Sequence, residues 1–187
     1  MLTTITANQI QGRAIGALFF TCFGGLWFLL ALAASGQLNA SSASALAVGT
    51  GLLALVCILL RRKGGHFRRE EEDPAVQRAF GRVNAIQWIA IFVVAFVFGR
   101  LHWDAYTPSA VTAIVGLHMF PLARLFRYPL HYLNGAVLVA WALASIFVAP
   151  EAQLQSTTAA GTGSLLWISA VITLAVTFGK AGGARSS

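Results

Sequence analysis

The chain has 187 residues, 57% of them hydrophobic and only 10% charged, with a net charge of +7. A soluble domain carries about 25% charged residues, so water is excluded as the solvent for most of this surface. In a soluble protein such a basic balance would point to nucleic acid. Here the basic residues stand at the ends of apolar runs, the pattern that orients membrane proteins, and no nucleic-acid partner is expected.

Six apolar segments follow one another: Ala14 to Ala34, Ala45 to Leu60, Val83 to Gly99, Pro108 to Ala123, Pro129 to Ala149, and Ser164 to Gly179. A membrane-spanning helix takes about 20 residues, so the shorter runs must be extended at their ends. The expected fold is all-α, an integral membrane bundle of six transmembrane helices in a single domain covering residues 1–187. The first run contains Ala31-Leu32-Ala33, a signal-peptidase-like site. That run exceeds a signal-peptide apolar core of about 7–15 residues, so a retained span is expected.

The punctuation between runs suits helices. Asn39 to Ser44 offers N-caps for the second. Asp73-Pro74 combines a cap with proline at the first helical position, predicting that the third helix starts there and enters the bilayer past Arg78 and Arg82. Thr107-Pro108 repeats the device before the fourth. Tyr128-Pro129 opens the fifth, and Gly161 to Ser164 reads as a flexible entry to the sixth. Glu151 and the Gln, Ser and Thr residues after it read as a solvent-facing loop.

Lysine and arginine set the orientation. With both termini in the cytoplasm, twelve of the thirteen face inward and only Arg100 faces out. Residues 61–82 form a basic cytoplasmic loop leading into the third helix, suited to anionic lipid headgroups. Arginine recurs where each odd-numbered helix begins, in Gly12-Arg13-Ala14, Gly81-Arg82-Val83 and Phe126-Arg127-Tyr128. This fits three related hairpins, but the orientation rule alone accounts for it more simply. Small residues four apart, at Gly12 and Gly16, at Ala43, Ala47 and Gly51, and at Ala140 and Ala144, are expected to let helices approach closely, within one chain or in a homo-oligomer.

Polar side chains are costly in lipid and are expected to face the interior. Asn84 and Gln87 lie three apart on one face of the third helix, beside Trp88. The fourth carries His118, Pro121 and Arg124. The fifth carries His131 and Asn134, again three apart, with Tyr132 beside them. All fall in the cytoplasmic third of the bilayer. They form the candidate ligand-binding set: Asn84, Gln87, His118, His131 and Asn134, with Arg124 at the mouth. Pro121 frees a carbonyl near Leu117. The competing reading is inter-helix glue.

The stretch Gly116-Leu117-His118-Met119-Phe120-Pro121-Leu122-Ala123-Arg124-Leu125-Phe126 resembles segments of small multi-pass bacterial membrane proteins of unassigned function. The resemblance covers roughly Gly116 to Gly135. It implies a bacterial inner-membrane location and no particular activity.

A second constellation, Arg100-Leu101-His102-Trp103-Asp104-Ala105-Tyr106, is expected at the outer face as an interfacial anchor, with Asp104 able to pair with Arg100 or His102. Catalytic templates fail. Neither GxSxG nor HExxH occurs, and no Asp or Glu lies deep in a span. Cys22 and Cys57 form no CxxC pair and read as small packing residues. Lys63 and Lys180 sit at helix ends, so a buried Schiff base is not expected. No catalytic residue, metal or cofactor is therefore assigned, and an enzyme is not the favoured reading. The sequence points to a small transporter or channel for a neutral or anionic solute. The alternatives are a membrane scaffold or regulatory subunit acting through helix packing, and a membrane-embedded enzyme using His118 on a lipid-like substrate.

Overall fold

The computed structural model describes residues 7–64 and 74–183, and among them the protein is all-helical. The helices are α1 (Ala7–Ala34), α2 (Ala40–Gly64), α3 (Pro74–Arg100), α4 (Thr107–Leu125), α5 (Leu130–Val148) and α6 (Glu151–Gly183), with a single 3-10 turn at Asp104–Tyr106. All six are long and apolar enough to cross a membrane.

Local chemistry accounts for most of the helix ends. The side chain of Asn39 accepts from the Ser42 N–H at 3.0 Å, and the Ser42 hydroxyl accepts from the Asn39 N–H at 3.0 Å. This reciprocal cap starts α2 several residues before its apolar run. Helix α3 is described from Pro74 and runs unbroken through Arg78 and Arg82. Asp73, the expected cap, lies outside the described residues, as do residues 65–72 of the basic loop. Before α4 the cap differs from expectation. Thr107 is already helical, because the 3-10 turn at Asp104–Tyr106 feeds directly into the helix. Three helices end on a residue in the left-handed region, Gly36, His102 and Arg127. After each, the chain closes a six-residue loop, with N–H groups of Gln37, Trp103 and Tyr128 donating to the carbonyls of Leu32, Phe98 and Ala123.

The largest departure is α6. Gln153 to Gly163 is the first half of a 33-residue helix, not a loop or a flexible entry. Its hydroxyls are consumed inside the bundle: Thr158 and Thr162 are fully buried. Thr162 and Ser164 donate back to the carbonyls of Thr158 and Ala160 at 2.8 and 2.9 Å. A polar helix half can therefore be buried where sequence polarity alone suggests solvent.

The helices form two groups of three. In one, α1 packs against both α2 and α6; in the other, α4 packs against both α3 and α5. Helix α6 joins the groups through α5 and α4. Each tight pair closes on a glycine crossing. A Cβ on Gly163 would stand 3.0 Å from the Gly24 carbonyl oxygen, and one on Gly116 would stand 2.9 Å from that of Gly135. Only glycine permits these approaches of α1 to α6 and of α4 to α5. The small residues four apart are not the contacts. Gly12, Gly16 and Gly51 face open space, and Ala47, Ala140 and Ala144 are exposed.

The Gly24–Gly163 crossing and a 3.1 Å bond from Trp167 Nε1 to the Thr21 carbonyl make α1 and α6 antiparallel. Short turns then alternate the directions of α6, α5, α4 and α3, and of α1 and α2. One end of the bundle consequently gathers Arg13, Arg61, Arg62, Arg78, Arg82, Arg124 and Arg127, whereas Arg100, Asp104 and Glu151 lie at the other. These are called the basic end and the far end below.

Candidate functional site

The buried polar groups divide by depth. In the far half they are mutually satisfied. The Ser109 hydroxyl on α4 bonds Ser145 of α5 at 3.3 Å and Thr158 of α6 at 3.2 Å. Thr112 and Thr162 bond at 2.8 Å. Trp141 Nε1 donates to the Thr158 carbonyl at 3.1 Å. At the surface beyond them, Gln155 Nε2 donates to the Asp104 carbonyl at 2.8 Å. This is inter-helix glue that locks α4, α5 and α6 together. The outward constellation adds Trp103, edge-on to Phe98 with ring centroids 5.8 Å apart, and an exposed Asp104.

The basic half is different. Buried polar atoms without a hydrogen-bond partner are Arg13 Nη1, Tyr128 Oη, His131 Nδ1, Asn134 Nδ2 and Thr173 Oγ1. Arg13 is on α1, Tyr128 caps the entry to α5, His131 and Asn134 follow at successive turns of α5, and Thr173 is on α6. The antiparallel register of Gly24 with Gly163 sets Thr173 level with Ala14 of α1. Buried polar groups in folded proteins are nearly always paired, so five in one half demand an explanation.

Side-chain contacts tie α1 to the start of α5. The Arg13 guanidinium lies over the Tyr128 ring, 4.8 Å from its centroid. Tyr128 and His131 meet edge to face at 5.0 Å, and Phe20 of α1 meets the other side of His131 at 6.0 Å. Tyr128, His131 and Asn134 occupy one face of α5 at intervals of three. Together they make a row about 9 Å long leading inward from the basic end.

Of the residues expected from sequence, His131 and Asn134 stand in this row. His118 is buried on α4, within electrostatic reach of His131, but its own partner is the backbone of Val83 on α3. It links α4 to α3. Asn84 and Gln87 are half-buried on the stripe of α3 that also carries Val83 and Ile91. None of their atoms is among the buried unpartnered ones. Arg124 is exposed at the end of α4. Pro121 stands inside α4, exposed.

Sequence reasoning missed Arg13, Tyr128 and Thr173. An arginine at a helix start reads as an orientation signal and a tyrosine there as an interfacial anchor. One signal was present: Arg13, Phe20 and Trp27 recur every seven residues along one stripe of α1, distinct from Gly24, which meets α6. The far end of this stripe borders an open apolar groove of about 250 Å³, lined by Leu26, Trp27 and Leu30 of α1 and Thr107, Pro108 and Val111 of α4.

No family model matches the chain, and neither a curated protein nor a solved structure was found to be similar to it.

Proposed function

We propose that this is a multi-pass membrane protein, N-in and C-in, that binds a small neutral or anionic solute at its cytoplasmic end, as a small transporter or channel would. The orientation follows from the basic end, since arginine and lysine are retained on the cytoplasmic side. A bacterial inner membrane accords with the arginine bias. The observation that carries the binding reading is the asymmetry of the buried polar groups: paired in the far half, unpartnered from Arg13 to Asn134 in the basic half. Glue would be bonded, as it is around Thr158. Groups held ready for a ligand are not.

In this reading the ligand groups are His131 and Asn134, joined by Arg13 and Tyr128, while His118 positions α4 against α3. The enzyme alternative has less support, because the Val83 backbone already partners His118, the residue it would use.

The test is a thermal-melting screen of the purified full-length protein against small polyols, carboxylates and phosphates. A ligand at 100 times its Kd stabilises by about 2.7 kcal/mol, which raises Tm by about 5–10 °C in a chain of this size. At least one compound should do so in the parent protein and not in Asn134→Leu. A screen in which every compound leaves Tm unchanged, or shifts both proteins equally, contradicts the proposal.

A further inference from the structure

We infer that the row from Arg13 to Asn134 is a phosphate site, a conclusion that rests on the binding reading above and narrows its ligand to one anion chemistry. The unpartnered atoms can all donate a hydrogen bond. Arg13 Nη1 and Asn134 Nδ2 can only donate, and Tyr128 Oη, Thr173 Oγ1 and a His131 protonated at Nδ1 can do so too. A ligand that satisfies them must be rich in acceptors.

Charge points the same way. Among the described residues the only carboxylates are Asp104 and Glu151, both at the far end of the bundle. The Arg13 guanidinium therefore has aromatic support from Tyr128 but no described acidic partner. An anion entering beside this half-buried guanidinium would supply the counter-charge that no described residue provides. An arginine fork is well matched to phosphate oxygens. Inorganic phosphate offers four oxygens and a phosphodiester headgroup two unbridged ones, each with more than one lone pair, enough acceptors for Arg13 and Tyr128 with His131 and Asn134 behind them. Depth agrees as well, since Tyr128 stands just before α5 and Arg13 lies one turn inside the apolar span that starts at Ile10, close to the phosphate layer of a bilayer.

The phosphate can come from solution or from a lipid headgroup. Full-length protein in phosphatidylcholine nanodiscs is titrated with inorganic phosphate by calorimetry. In parallel, protein from discs of equal phosphatidylcholine and phosphatidylglycerol is analysed for retained lipid by native mass spectrometry. Variants are Arg13→Gln, Asn134→Leu and, as a surface-charge control, Arg61→Gln. Saturable phosphate binding weakened at least 10-fold by Arg13→Gln and by Asn134→Leu, but less than 2-fold by Arg61→Gln, supports the inference with a soluble source. Retained phosphatidylglycerol with the same variant pattern supports it with a lipid source. Asn134→Leu keeps the test valid if Arg13→Gln does not fold. The inference is overturned if neither probe binds, or if Arg61→Gln lowers binding as much as Arg13→Gln. A neutral polyol that raises Tm through Asn134 while phosphate and phosphatidylglycerol fail would overturn the phosphate assignment alone and leave the binding reading standing.

Discussion

Thr112 of α4 and Thr162 of α6 share a 2.8 Å hydrogen bond, and Thr162 in turn donates to the Thr158 carbonyl at 2.8 Å. Both side chains are fully buried. The pair is a direct tie between the two three-helix groups. Inter-helix hydrogen bonds in membrane proteins average about 0.6 kcal/mol, with a maximum near 1.7. Thr112→Val and Thr162→Val should each lower stability, and the double variant should cost less than the sum of the two. A double-mutant cycle in detergent unfolding should give a coupling of about 0.5–1.5 kcal/mol. A coupling of zero would mean that the threonines do not act together.

The glycine crossings should be far less tolerant than the glycines four apart in α1. An added methyl at Gly163 would press on the Gly24 carbonyl and on Phe28, both at 3.0 Å, and neither can yield without moving a helix. Gly163→Ala should cost about 1–3 kcal/mol. Gly12→Ala and Gly16→Ala, which meet nothing within 4 Å, should be neutral or stabilise by up to about 1 kcal/mol. Equal melting temperatures for the Gly163 and Gly16 variants would contradict the packing of α1 on α6.

His102 sits at φ 59, in the left-handed region, where it ends α3. A side chain there costs about 1–2 kcal/mol that glycine does not. The His102→Gly variant should therefore be more stable by about 1 kcal/mol, measured as a rise in the denaturant midpoint. A fall would show that the imidazole makes a contact worth more than the backbone relief.

Orientation can be read by labelling. In a Cys22→Ala, Cys57→Ala background, single cysteines at Ser42 and Gln153 should react with an impermeant maleimide on intact cells, and one at Gly65 should not. Labelling at Gly65 alone would invert the topology.

The six long apolar helices were legible because apolar runs are properties of single helices. What depends on pairs of helices was not. Small residues at Gly12 and Gly16 look like a contact motif, yet the crossings are made by Gly24 with Gly163 and Gly116 with Gly135, whose partners lie in other helices. Thr158 and Thr162 read as solvent-facing because their hydroxyls are hydrophilic, and only the neighbouring Ser109 and Thr112 show that they can be satisfied in the interior. In the candidate site, the three-residue spacing of His131 and Asn134 identified one wall. The opposing wall, Arg13, belongs to a helix more than a hundred residues earlier. His118 has the same character as His131 in sequence, and only the structure shows that the Val83 backbone partners the first while Nδ1 of the second has no partner.

On the proposed reading, the basic-end cluster is left unpaired for a ligand and is not glue. The most direct measurement is the melting temperature of ligand-free Asn134→Leu against the parent protein. An unsatisfied buried amide costs about 1–3 kcal/mol, and leucine fills a similar volume without that penalty. If the cluster awaits a ligand, the substitution should leave Tm unchanged or raise it by about 2–6 °C, while abolishing any ligand-induced shift. A fall of several degrees in the ligand-free protein would show that Asn134 holds the bundle together and would contradict the account.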